Sequence, residues 1–178
     1  MPLVPPQTGS VAWCTRAVDT GEERAAAALA ASGIAHTATR HGRVGSLEQA
    51  AAARGLRPDQ VLKTIVVRRG EGDHVFVLVP GGRAIAWPKL REALGISRLS
   101  LPDAEAARAA TGYERGTITP FGSTHAWPVI ADALIPAAGP VSIGGGAHGV
   151  AYTVDADALI AALSATVADV TDQDPGLR

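Results

Sequence analysis

Two stretches of this chain carry residue types that can act together on a substrate. Lys63 sits inside an otherwise apolar run, VLKTIVV (residues 61–67), and a turn-rich segment, TGYERGTITP (residues 111–120), follows later in the chain. The sequence has only two lysines, Lys63 and Lys89, and uses arginine for its other basic side chains, so an ammonium kept within a strand-like run is compositionally odd. Burial tunes a lysine readily, whereas arginine stays charged in any environment. The alternative for Lys63 is a strand-edge side chain that lays its apolar stem on the surface and puts its head in water. In GTITP, Gly116 permits backbone conformations and close approaches that a side chain prevents, and Pro120 fixes the chain without offering an N–H. The N–H groups of Thr117, Ile118 and Thr119 can point at a bound carbonyl or oxyanion. Gly144, Gly145 and Gly146 form a second loop that a ligand can enter closely. Each loop also reads as a plain turn.

The elements that must position these residues are legible as a mixed series. Residues 21–33 read as a helix with acidic residues in its first turn, Asp19 or Thr20 as cap and Gly33 as stop. An extended stretch (34–41) precedes a second helix, 46–55, with Ser46 and Gln49 as a capping box and Gly55 at its end. Residues 61–67 and 74–80 are β-branched strands joined by a glycine-containing turn, apolar on both faces and therefore expected in a sheet covered on both sides. Helices are expected at 86–95 and 103–112, a short strand at 98–101, strands at 129–134, 141–143 and 150–154, and a last helix at 155–164. Strands and helices are interspersed without strict alternation, which favours an α+β fold with a mixed sheet, possible as an open barrel, over a doubly wound one.

At 178 residues the chain suits one domain, taken as residues 21–170 between an N-terminal extension (1–20) and a C-terminal tail (171–178). A composition 47% hydrophobic and 19% charged is that of a globular protein, and the net charge of −1 gives no global attraction to nucleic acid. RNA contact must come from a local patch, for which Arg68, Arg69, Arg83, Arg91, Arg98 and Arg115 are candidates beside the Lys63 cleft. Nothing points to DNA or a membrane as partner. Cys14 is the single cysteine, so no internal disulfide can form, and no Cys/His spacing suits zinc. No metal and no cofactor are expected. The start lacks a basic, apolar leader, and the expected location is the cytoplasm. No phosphate-binding GxxxxGK[ST] occurs, and GGGAHG does not open a helix as a dinucleotide fingerprint would.

GLRPDQVLKTIVV, TGYERGTITPFG and the late GGGAHG loop, in this order and at these spacings, resemble the YbaK/ProX family of aminoacyl-tRNA deacylases, free-standing relatives of the prolyl-tRNA synthetase editing domain. The resemblance runs over roughly residues 21–169. It implies a mixed six-stranded barrel-like sheet flanked by helices, and places the family's lysine on Lys63, its adjacent threonine on Thr64, and its GxxxP glycine and proline on Gly116 and Pro120. The chain departs from the family in three places. Gly144 and His148 replace a hydroxyl and a basic residue of an SGGxRG loop, His36 stands where many members have an aromatic pocket residue, and His125 and Trp127 occupy positions that are often basic and aliphatic. These departures bear on amino-acid specificity more than on reaction type.

What the resemblance implies is a deacylase acting on the acceptor end of mischarged tRNA carrying alanine, cysteine or serine, with tRNA(Pro) as one candidate and a synthetase as a candidate partner. No protein nucleophile or metal is implied. Lys63 would hold the carbonyl, 2′-hydroxyl or α-amino region, the Gly116 to Pro120 loop would face the oxyanion, and Gly144 to Gly146 would shape the pocket, with His148 and His36 near the substrate. The histidines otherwise read as structural or surface groups. Two other readings stay open: a non-catalytic module binding tRNA ends or a synthetase, and a small-molecule nucleoside-ester hydrolase.

Overall fold

The helices begin and end where local backbone chemistry directs them. The computed structural model describes residues 20–177; Cys14, Asp19 and the rest of the expected N-terminal extension before Thr20 lie outside the described residues. The Thr20 hydroxyl accepts from the Glu23 N–H at 3.2 Å while the Glu23 carboxylate accepts from the Thr20 N–H at 2.7 Å, opening α1 (Gly21–Ser32) with a capping box. Gly33 ends α1 at φ 74°, where a Cβ would be strained. Ser46 caps α2 (Leu47–Arg54), but the expected box is only half made: Gln49 Oε1 accepts from the Gly45 N–H instead of that of Ser46. Asp103 and Asp155 cap α4 (Ala104–Thr111) and α5 (Ala156–Ala162), and α3 (Trp87–Leu94) carries Pro88 in its first turn.

Strands β2 (Lys63–Gly70) and β3 (Asp73–Val79) form the expected antiparallel hairpin, and β3 pairs in parallel with β5 (Val129–Asp132), which pairs in parallel with β8 (Thr166–Ala168). A second sheet is antiparallel, in the order β1 (His36–Arg40), β7 (Val150–Asp155), β6 (Pro140–Gly144). The sheets meet where the Leu62 N–H donates to Ser142 O at 2.8 Å. The fold is thus α+β with mixed pairing. Instead of one six-stranded barrel-like sheet, however, the described strands form three sheets. The third pairs β4 (Arg83–Ile85) with β9 (Thr171–Gln173). The expected strand at 98–101 is a single bridge between Ser100 and Arg68. Residues 171–173, expected to start a tail, are a paired strand with Thr171 fully buried.

The β2–β3 hairpin is covered on both faces, as its apolar sequence requires. Val66, Phe76 and Leu78 pack on one side with Leu29, Ile143 and Leu159; Val67, Val75, Val77 and Val79 pack on the other with Leu90 and Val170. Because strand side chains alternate, Lys63 shares the second face with Ile65 and Val67, and Thr64 shares the first with Leu62 and Val66. Asp132, buried at the end of β5, accepts from the N–H groups of Leu134 and Val170 and from the Thr171 hydroxyl, tying the C-terminal strands to the sheet.

His74 is buried in β3 against Trp127, 5.0 Å between ring centroids, and its Nδ1 has no partner. Burial pushes its pKa below the ordinary histidine value, opposed by Asp73 and reinforced by Arg68 and His125. The unfolded chain therefore binds this proton more readily than the folded one. Stability present above about pH 6.5 is lost as pH falls through that value toward the folded pKa. The urea midpoint is expected to drop between about pH 7 and pH 5 more steeply in the wild type than in His74→Phe; equal slopes would assign the acid sensitivity to other groups.

Candidate active site

A cavity of about 750 Å³ opens where the start of β2, the turn after α4 and the loop after β6 converge. Its volume is that of a small-molecule site. Val61, Leu62, Lys63 and Thr64 supply one wall, Gly116 and Ile118 a second, and Gly144 and Ala147 to Val150 a third. His41 to Val44 and Arg54 complete it. Three of these residues are basic, Arg43, Arg54 and Lys63, and among the described residues no aspartate, glutamate, serine or cysteine lines it. The cavity is therefore suited to an anionic or strongly polar ligand, and it holds no carboxylate base.

Lys63 lines the cavity while its Nζ donates to Arg83 O at 2.5 Å, a carbonyl outside the lining. An ammonium has three donors, so two remain. Thr64 faces the opposite way, and its Oγ1 is buried without a partner. Such an orphan hydroxyl costs about 1–3 kcal/mol unless something else satisfies it.

The GTITP loop is held at its base rather than along its length. Arg24 on α1 donates from Nη2 to Gly112 O at 2.7 Å and from Nε to Gly122 O at 3.2 Å, and the Tyr113 hydroxyl donates to Phe121 O at 2.6 Å. Burial raises the Tyr113 pKa, with Arg24 opposing, so the phenol stays a donor. Gly116 has φ 89°, a left-handed conformation that side chains resist. One expected donor is already spent: the Thr117 N–H and hydroxyl both donate to Glu114 O, at 3.0 and 2.8 Å. The N–H groups of Ile118 and Thr119 bond to no other described residue.

The triple-glycine loop divides its tasks. A Cβ on Gly144 would lie 3.1 Å from Ile118 O, so any side chain here would press on the facing loop. Gly145 would clash with Val150, and Gly146, at φ 79°, with Gly21 O at 2.3 Å. Gly144 lines the cavity; Gly145 and Gly146 pack the loop against β7 and the start of α1.

Residues 41–162 match the family model of the aminoacyl-tRNA editing domain. The chain belongs to this family. It is 37% identical over 81 residues to a proline–tRNA ligase of Moorella thermoacetica, covering 46% of this chain and 14% of that protein. It is 30% identical over 87 residues to the proline–tRNA ligase of Pelobacter propionicus, covering 49% of this chain and 15% of that protein. The match thus spans about one seventh of each ligase. Among solved structures, one of a proposed trans-editing enzyme for prolyl-tRNA synthetase superposes with TM-score 0.77 at 24% identity, covering 85% of this chain and 97% of that one. The hypothetical protein APE2540 superposes with TM-score 0.73 at 23% identity, covering 81% and 96%. These superpositions establish the editing-domain fold.

Within that fold, the cavity brings together Lys63, Thr64, Gly116, Ile118, Gly144 and His148. Thr117, Thr119, Pro120, Gly145 and Gly146 stand behind these walls. His148 is largely exposed and only 3.9 Å from Glu114. His36 lies outside the lining, edge-on to Tyr152 at 5.6 Å with Nδ1 on Ile34 O. The basic patch is displaced: Arg68, Arg69, Arg91 and Arg98 line a separate groove at the far end of β2, about 17 Å from Lys63 at the usual rise per residue. Arg83 instead turns to Thr171. His41, Arg43 and Arg54 are lining residues that sequence reasoning missed. Arg54 reads locally as a cation complementing a helix C-terminus, and only the fold turns it inward.

Proposed function

We propose that this chain deacylates mischarged tRNA, cleaving the ester of a small amino acid such as alanine, cysteine or serine at the tRNA acceptor end, with tRNA(Pro) as a candidate carrier. The observation that carries the reading, beside family membership, is the convergence of Lys63, Thr64, Gly116 and Ile118 on one cavity lined by basic side chains and, among the described residues, by no carboxylate. The ester is already activated, so the site needs chiefly to orient it and stabilise the developing oxyanion. Lys63 holds the carbonyl, 2′-hydroxyl or α-amino region through its free donors. The unbonded N–H of Ile118, a lining residue, is the oxyanion donor, with that of Thr119 next to it in the loop. With no acidic residue among the described lining residues, water or a substrate group serves as nucleophile and the substrate's own polar groups handle the proton. A confined pocket rejects larger side chains by clash more readily than it rejects smaller ones, which limits the substrate to small amino acids.

A panel of mischarged tRNAs incubated with the purified protein tests this. The expected result is hydrolysis of small-amino-acid esters on one or a few tRNAs, at rates well above those on free amino-acid esters. Binding of tRNA ends without hydrolysis would establish a recognition module, and equal action on free esters a nucleoside-ester hydrolase. Activity that needs an added synthetase would identify the partner.

A further inference from the structure

Arg54 is a cation with no anion beside it among the described residues. It ends α2, and its side chain turns into the fold, where Nη1 donates to the Oγ of fully buried Ser142 at 3.1 Å and Nη2 lies 3.2 Å from His41 Nε2. His41 Nδ1 is 2.8 Å from Gly42 O, so it carries the proton and leaves the Nε2 lone pair for Arg54. The Arg54 Nε is buried with no partner, and no carboxylate among the described residues lies within ion-pairing distance of the guanidinium. Burial alone lowers its pKa, with nothing opposing. Arg54 is partly buried, and a cation withdrawn even partly from water is ordinarily paired, because an uncompensated charge in a poorly solvated place is expensive. This one lines the cavity together with Arg43 and Lys63.

We propose that Arg54 binds a phosphate of the substrate's 3′-terminal nucleotide. The planar fork of a guanidinium matches phosphate geometry, and its bonds to Ser142 and His41 hold it in place before the ligand arrives. Ser142 also fixes the distance to the chemistry: its carbonyl accepts from the Leu62 N–H, one residue before Lys63, so the anion contact and the ester contact are braced on one residue of β6. The inference rests on the deacylase reading and adds the group that sets the substrate's register.

Two small esters differing only in that group test it: 3′-O-alanyl-adenosine and its 5′-monophosphate. The wild type is expected to favour the phosphorylated ester by about 10- to 100-fold in kcat/KM, the scale of one charge-assisted contact. In Arg54→Met the ratio should collapse to near one, and Arg54→Lys should retain part of it. A wild-type ratio near one, or a ratio unchanged in Arg54→Met, would overturn the proposal. Should Arg54→Met fail to fold, the wild type still decides the matter: AMP should protect Arg54 from an arginine-selective dicarbonyl reagent where adenosine does not, and equal effects would overturn it. If neither ester is cleaved, the panel of mischarged tRNAs still judges the deacylase reading and the protection experiment judges the phosphate site.

Discussion

Lys63→Ala is expected to lower kcat/KM on the preferred mischarged tRNA by on the order of 10³-fold while the protein continues to unfold in one cooperative transition. The ammonium belongs to the cavity wall and keeps two donors beyond its bond to Arg83 O, and alanine removes them without touching the backbone pairing of β2 with β3. Lys63→Arg should be nearly as impaired, because a planar guanidinium cannot occupy the place of a compact ammonium. Single-turnover deacylation and a thermal melt of each variant are the measurements. The bond from Nζ to Arg83 O supplies a rival account, in which Lys63 is only a strut between β2 and β4. Near-wild-type turnover in a protein that melts earlier would establish that account and remove Lys63 from the chemistry.

Gly116→Val is expected to reduce the rate by on the order of 10²-fold, the cost of displacing an oxyanion donor. The cause is conformational more than steric. A Cβ here would meet only His148 Cε1, at an ordinary 3.5 Å, but φ 89° is a conformation that valine resists. Relieving it would swing Ile118 off the cavity wall. The strain amounts to roughly 1–3 kcal/mol, to be read as a lowered urea midpoint beside the rate. Gly116→Ala should show most of the same loss; activity retained alongside a marked drop in stability would make the segment a structural turn.

Local chemistry made the helices legible and left the small strands hidden. Thr20, Ser46, Asp103 and Asp155 cap, and Gly33, Gly55, Gly95 and Gly112 stop, through bonds within a few residues, so the sequence displays them directly. RAI, TVA and TDQ become strands only through partners far along the chain, and none has the alternation that would announce it. The site divides the same way. Lys63 and Gly116 stood out because each breaks its local pattern. Arg54 satisfies its own, that of a cation at a helix end, so its second role is set by Ser142, 88 residues away. The arginine patch was misplaced because the strand direction that carries Arg68 and Arg69 away from Lys63 is not visible in a list of charges.

The pairing of β4 with β9 reaches back to the cavity wall. Arg83 O holds the Lys63 ammonium, and the Arg83 guanidinium is itself held by the hydroxyl and carbonyl of Thr171, near the end of the chain. Synthesis runs from the N-terminus, so a nascent chain has made the cavity walls well before the strand that braces them. A polypeptide stalled short of Thr171 can bury much of its core and still lack the brace behind its ammonium. Truncation before Thr171 is therefore expected to loosen the hold on the Lys63 ammonium while the cavity walls stay in place.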